Sequence, residues 1–140
     1  LLGWQRSRAD FVNAKKENDK KIKESYSFAK GSLMEELFPV VDSFEMAFAN
    51  KETWEKVDEQ WRMGIQYIYT QLLTVFENNG LKQIDPKGEK FDPNYHISIE
   101  LIDTDNKKED DMVIEVIQKG YELNNQVIRA AKVRVGRYKK

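Results

Sequence analysis

Hydrophobic positions at helical spacing predict two amphipathic helices in the first part of the chain. From Ile22 to Phe48, apolar residues recur at steps of three or four, which is the period of an α-helix. Before Ile22 the apolar positions are sparse, and residues 15–23 are almost wholly polar. A helix over residues 4–38 would be roughly 50 Å long, more than the core of a small domain can cover. We therefore expect this stalk to pair with another helix, most simply from a second copy of the chain.

Pro39 lies inside the apolar pattern, in the segment ELFPVVDSFEMAF. Proline lacks a backbone donor and clashes with the preceding turn. The position therefore predicts a kink or a break near Leu37 or Phe38, with Pro39 beginning the next helical stretch.

The second helix is predicted from about Val57 to Asn79, after a polar connection at residues 50–56. Gly80 follows two asparagines and predicts a left-handed cap at the end of this helix. Two such helices form a hairpin, and two copies of the hairpin form a four-helix bundle. The apolar residues expected to hold the dimer together are Leu33, Leu37, Val41, Phe44, Phe48, Trp61, Ile65, Ile68 and Leu72.

After Gly80 the pattern changes from helical spacing to alternation, which is typical of strands. Strands are predicted at residues 81–84, 96–103, 112–119, 127–129 and 131–135, with turns at 120–121 and 124–125. We therefore predict an α+β fold in two domains. Residues 1–80 form the helical stalk and dimerisation bundle, and residues 81–140 form a small all-β domain.

The strand predicted at residues 112–119 has two different faces. Met112, Ile114 and Val116 share one face, and the other carries Val113 and Ile117 among charged residues. An apolar side chain flanked by charges is a common form of contact residue. Ile117 is therefore expected either to contact a partner or to pack on a second layer of its own sheet.

Composition excludes several classes of function. The 140 residues carry a net charge of −1 and include no cysteine, so disulfides and thiolate chemistry are excluded. The charge balance gives no general attraction to nucleic acid or to an anionic membrane, and no apolar run reaches membrane-spanning length. The opening LLGWQRSR is too short to be a signal peptide and is compatible with a longer N-terminal extension.

Catalytic and ligand-binding motifs are also missing from the sequence. The single histidine, His96, has no cysteine or nucleophile-elbow serine to work with, so we expect it to form local hydrogen bonds. The acidic stretch 103–111 lacks the spacing and the glycine of a calcium-binding loop, so we expect a solvated loop. No glycine-rich loop is present to hold phosphates. The basic end, residues 129–140, fits a strand with one wet face better than a nucleic-acid site. We expect no enzyme activity, metal or cofactor.

Three motifs, in order along the chain, resemble the GrpE family, the nucleotide exchange factors of DnaK-type chaperones. They are EELFPVVDSFEMAF at residues 35–48, GLKQIDPKGEKFDPNYH at residues 80–96 and VIEVIQKGYELNNQVIRAAKVRV at residues 113–135. The resemblance implies a homodimer with paired long helices, a four-helix bundle and two β-wings. One wing and the adjoining stalk would bind the ATPase domain of the chaperone and open its nucleotide cleft, so that ADP leaves.

By the same resemblance, Phe91, Ile117 and Val135 are expected to form the apolar contact with the chaperone. Lys15 and Lys16 are expected to add contacts from the stalk. The resemblance also implies the bacterial cytoplasm, with an organelle matrix as the other possible location. The alternative function is a dimeric coiled-coil adaptor whose β-domain binds a different protein.

Overall fold

The computed structural model describes residues 2–140 and confirms the predicted α+β class. The helices are α1 (Leu2–Ala49), α2 (Lys51–Glu55) and α3 (Glu59–Asn78). The strands are β1 (Leu81–Ile84), β2 (His96–Thr104), β3 (Val113–Gln118), β4 (Gly120–Leu123), β5 (Gln126–Arg129) and β6 (Ala131–Tyr138). A short 3₁₀ helix, Lys107–Glu109, lies between β2 and β3. The chain divides into two compact units, Leu1–Glu36 and Leu37–Lys140. All the α-helices precede Leu81, and all the strands lie after it or begin at it.

The first unit is a stretch of helix without an apolar core of its own. Its large apolar side chains from Leu2 to Phe28 are exposed, including Trp4, Phe11 and Ile22. A helix that buries so little apolar surface gains little stability from packing within one chain. Pairing of the stalk with a second helix stays a prediction.

The sequence predicted a kink or a break near Leu37 or Phe38, with Pro39 beginning the next helical stretch. Helix α1 passes through Pro39 without ending, so a break and a new start there are wrong. A proline inside a helix removes one hydrogen bond and costs about 3 kcal/mol. Phe38 and Val41 on either side of it are 3% and 0% exposed. Burial of two such side chains contributes about 1.5–3 kcal/mol each, which offsets the cost of the proline and keeps the segment helical.

Helices α1 and α3 pack as an antiparallel hairpin. The Phe38 and Phe76 ring centroids lie 6.3 Å apart, and those of Phe48 and Tyr69 lie 5.2 Å apart. Phe48 follows Phe38 in α1, whereas Tyr69 precedes Phe76 in α3, so the two helices run in opposite directions. The sequence predicted a polar connection over residues 50–56, and within it residues 51–55 form the short helix α2. Its N-cap is Asn50, whose side-chain oxygen accepts the Thr53 N–H at 3.4 Å.

The strands form two three-stranded sheets. The first has the antiparallel order β1-β4-β5, and the second has the order β2-β6-β3, in which β2 lies parallel and β3 antiparallel to β6. The core of the second sheet consists of Val113, Ala131, Val133 and Val135. Val116 packs against this same core, because register shifts interrupt the alternation along β3. The prediction that Val113 and Val116 lie on opposite faces is therefore wrong.

Gly120 was predicted in a turn but begins strand β4. A Cβ atom at this position would lie 2.5 Å from the Arg129 carbonyl oxygen and 2.6 Å from the Ala131 nitrogen, both backbone atoms. The predicted turn at Asn124 and Asn125 is confirmed, and both residues have positive φ, 50° and 69°. β4 and β5 can thus approach closely only if residue 120 has no side chain.

Replacing Gly120 with Ala should destabilise the chain by at least about 2 kcal/mol, because the backbone around it must shift to admit the methyl group. Gly3→Ala is the control. Gly3 lies in α1, and a Cβ there would meet no atom within 4 Å. This control should be neutral or stabilising by up to about 1 kcal/mol. Urea unfolding followed by circular dichroism measures both changes, and equal stability of the two variants would contradict this reading of Gly120.

Candidate partner-binding site

Three aromatic rings join the helical hairpin to the first sheet. The rings of Phe38 and Tyr121 stack with centroids 4.3 Å apart and an interplanar angle of 19°. Phe76 meets both rings edge-on, at 6.3 Å from Phe38 and 6.0 Å from Tyr121. All three side chains are buried. We call Phe38, Phe76 and Tyr121 the aromatic joint, and it fixes strand β4 against α1 and α3.

The Tyr121 hydroxyl accepts a hydrogen bond from the same chain. Gln83 on β1 donates to it at 3.2 Å from Nε2. Burial raises the pKa of Tyr121 above its usual value, and the hydrogen bond from Gln83 opposes that shift. Tyr121 therefore remains a neutral phenol near pH 7, and the joint carries no negative charge of its own.

Arg129, the last residue of β5, lies over the aromatic joint. Its guanidinium carbon is 5.0 Å from the centroid of Phe38 and 5.2 Å from that of Tyr121. In its plane, Nη1 and Nη2 donate to the two carboxylate oxygens of Asp42 at 2.8 Å each. Nε and Nη2 also donate to the Lys119 carbonyl oxygen, at 3.1 and 2.5 Å. One side chain thus binds α1 and the β3–β4 connection together.

A second carboxylate of α1 extends this arrangement. Glu45 follows Asp42 by three residues and so lies on the same side of the helix. Its Oε1 accepts a hydrogen bond from Lys119 Nζ at 2.8 Å and another from the Tyr69 hydroxyl. Gln118 Nε2 donates to Asp42 Oδ2 at 3.2 Å. We call the set Asp42, Glu45, Gln118, Lys119 and Arg129 the polar clasp.

Ile117 immediately precedes the clasp. Its side chain is 44% exposed, at a position where the register of β3 against β6 shifts between Val116 and Gln118. Val116 packs on the core and Gln118 binds Asp42. Of the two expectations for Ile117, burial under its own sheet is not observed, and the side chain is available to a partner.

Phe91 and Val135 occupy different environments from Ile117. Val135 is 3% exposed and belongs to the core of the second sheet, so its side chain is packed within the chain. Phe91 is half-buried against that core, with its ring centroid 5.8 Å from that of His96. The structure therefore leaves Ile117 exposed, Phe91 partly exposed and Val135 enclosed.

His96 has the local role that the sequence predicted. The Asp92 N–H donates to His96 Nδ1 at 2.9 Å, and the His96 N–H donates to the Asp92 carbonyl oxygen at 2.9 Å. The side chain is buried. It closes the turn of the FDPN segment, which sets the position of Phe91.

The outer face of the second sheet carries an ion-pair ladder. Arg134 on β6 donates to Glu100 on β2 at 2.7 Å and to Glu115 on β3 at 2.6 Å. These two carboxylates raise the pKa of Arg134 above its usual value. Exposed pairs of this kind contribute little stability, but they tie both edge strands to the central one.

The acidic stretch 103–111 is bound to its own chain. Arg137 and Lys139 bind Asp103 and lower its pKa below the usual value, and the Tyr138 N–H donates to Asp110. Thr104 donates to Glu109 at 2.5 Å. Within residues 2–140, no group of three His, Asp or Glu side chains is arranged to hold a metal ion.

The residues expected at the dimer interface fall into two groups. Val41 is fully buried in the single chain, and Phe44 and Phe48 pack against Tyr69 of the same chain. The others remain exposed or half-exposed on their own units: Leu33 in the first unit, and Leu37, Trp61, Ile65, Ile68 and Leu72 in the second. On α3 these positions follow steps of four and three, which makes a narrow apolar stripe of the coiled-coil type.

Lys15 and Lys16 lie on the helix of the first unit. Both side chains are exposed, and Asp19 and Lys20 follow them on the same surface. No helix in the part of the chain from residue 2 to residue 140 combines the length and apolar character that crossing a membrane requires.

The polar clasp was not foreseen from the sequence. Asp42 and Arg129 are 87 residues apart in the sequence, and the local pattern around each predicts only an ordinary surface charge. One signal was present, because both belong to the motifs PVVDSFE and IRAAK on which the family resemblance rests. Charged residues inside otherwise apolar motifs can indicate a pair that meets in the fold.

Comparison with known proteins assigns the chain to a family. A sequence model of the GrpE family matches residues 3–137. The chain is 38% identical over 128 residues to Protein GrpE of Francisella philomiragia, across 91% of this chain and 66% of that protein. It is 39% identical over 133 residues to Protein GrpE of Sulfurovum sp. strain NBC37-1, across 91% and 71%. With Protein GrpE of Listeria welshimeri it shares 37% identity over 132 residues, across 94% and 68%.

The matched region covers nearly all of this chain and about two thirds of the length of these relatives. It includes α1, the hairpin and both sheets, and therefore the aromatic joint and the polar clasp. On this evidence the chain belongs to the GrpE family.

Proposed function

We propose that this protein is a co-chaperone that acts as the nucleotide exchange factor of a DnaK-type chaperone. Membership of the GrpE family over residues 3–137 is the observation that carries the proposal. The exposed Ile117, next to Gln118 of the polar clasp, adds a physical basis for it. Bacterial relatives favour the bacterial cytoplasm over an organelle matrix as the place of action.

The mechanism we propose is a population shift in the chaperone. The ATPase domain alternates between a closed and an open nucleotide cleft, and a factor that binds the open state better increases its share. If the open state makes up about one in a hundred molecules, the factor must bind it about 10⁴-fold more tightly than the closed state to make it the dominant form. No contact with the phosphates is needed, which fits a sequence without a phosphate-binding loop.

The contact surface we propose centres on Ile117, with Phe91 beside the core of the same domain as a second apolar contact. Val135 supports this surface from within, since its own side chain is buried. Lys15 and Lys16 on the stalk are proposed to meet acidic groups of the chaperone. Exposed lysines gain little energy each, so their contribution is mainly to association rate and orientation.

The active form we propose is a homodimer held by the exposed stripe on α3. Replacing Ile68 with Asp should weaken the dimer by at least about tenfold, since two copies would bury two carboxylates in one apolar seam. Tyr67→Asp is the matched control, because Tyr67 is adjacent, 64% exposed and off the stripe. Sedimentation velocity over a concentration series measures both. A monomeric wild-type chain, or an unchanged Ile68→Asp dimer, would contradict this proposal.

Release of a fluorescent ADP analogue from a DnaK-type ATPase domain tests the exchange function directly. The wild-type chain at micromolar concentration should accelerate release. Ile117→Asp should lose most of the acceleration while remaining dimeric, because it places a charge in the apolar contact. Ile99→Asp is the control, since Ile99 is 47% exposed on a different strand.

Failure of the wild-type chain to accelerate release would refute the exchange function and leave the adaptor alternative. Equal activity of Ile117→Asp and wild type would refute only the proposed contact. Equal losses in Ile117→Asp and Ile99→Asp would show that the contact is not specific to β3.

A further inference from the structure

The short connection between β3 and β4 is held mainly by side chains from elsewhere in the chain. β3 ends at Gln118 and β4 begins at Gly120, so Lys119 alone joins strands of two different sheets. Its carbonyl oxygen accepts two N–H groups of Arg129, at 3.1 and 2.5 Å. Its ammonium group binds Glu45 at 2.8 Å and lies 3.8 Å from Asp85. The connection is therefore fixed at both its backbone and its side chain.

Asp42 anchors the same connection to helix α1. Both of its oxygens accept from Arg129 at 2.8 Å, and Oδ2 also accepts from Gln118 at 3.2 Å. Bidentate arginine–carboxylate pairs constrain orientation as well as distance. The clasp thus fixes the angle at which this connection leaves the helix, whereas the stacked rings of the aromatic joint supply apolar burial.

We infer that Arg129 is a positioning residue for partner binding, which acts by holding Ile117 in its exposed orientation. Ile117 is the residue immediately before the clasp, and the clasp controls the two residues that follow it. This inference rests on the proposed function, because it concerns the same contact. It assigns Arg129 and Asp42 to binding although neither side chain needs to touch the chaperone.

The guanidinium is matched to this task in a way that an ammonium is not. Its central carbon lies 5.0 and 5.2 Å from the ring centroids of Phe38 and Tyr121, while its N–H groups donate to Asp42 and to the Lys119 carbonyl oxygen. Lysine keeps the charge but has neither the planar face nor the fork of donors. Arg129→Lys should therefore leave the apolar joint in place and release the connection that carries Ile117.

The test is the affinity of the chain of residues 1–140 for a DnaK-type ATPase domain, measured by isothermal titration calorimetry. Arg129→Lys should weaken binding about tenfold. In an Ile117→Ala background the same change should cost less than about twofold, because the contact that it positions is already gone. Arg137→Lys is the matched control, since Arg137 also binds an aspartate, Asp103, and is predicted to leave affinity unchanged.

Circular dichroism at the assay temperature establishes that each variant is folded. Asp42→Asn provides a second approach to the clasp from the helix side, should Arg129→Lys not fold. The same non-additivity with Ile117→Ala is expected for it.

Wild-type affinity in both Arg129→Lys and Asp42→Asn, or an equal loss with and without Ile117, would overturn the inference while leaving the proposed function intact. Lack of binding and of accelerated ADP release by the wild-type chain would overturn both.

Discussion

The contact on which the second unit depends is Arg129 lying on Phe38 and Tyr121 while its donors bind Asp42. The side chains of Arg129 and Asp42 are 21% and 24% exposed, so they are partly shielded from solvent. Removing one partner from such a pair leaves a poorly solvated charge next to an apolar stack. This interaction, which is both apolar and charged, joins the first sheet to α1 alongside the aromatic joint and the Glu45–Lys119 pair.

Local patterns predicted most of the elements because the signals were local. Helical spacing predicted α3, two asparagines and Gly80 predicted its left-handed cap, and alternation predicted a strand over residues 96–103, which the structure extends to Thr104. The errors arose where tertiary contacts overrode local preference. Pro39 stays inside α1 because buried side chains flank it, and Gly120 begins a strand because two backbones approach there.

The candidate site could be predicted only in part. Ile117 was expected either to contact a partner or to pack on its own sheet. Its exposure argues against packing, and the partner contact stays a prediction. Burial of Val135 could not be foreseen, because the alternation of β6 does not reveal which face is covered. The clasp joins α1 to β5, and no local pattern encodes a pair so distant in sequence. Under the proposed function, partner binding depends on how the exposed Ile117 is held, and the residues proposed to hold it lie in other segments.

A double-mutant cycle on the free energy of unfolding tests the central contact most directly. Asp42→Asn, Arg129→Gln and the double variant are compared with wild type by urea unfolding. We predict a coupling of at least about 1 kcal/mol between the two positions, because each variant breaks the same half-buried pair. Changes that add to within about 0.3 kcal/mol would contradict the account, since Asp42 and Arg129 would then stabilise the protein independently.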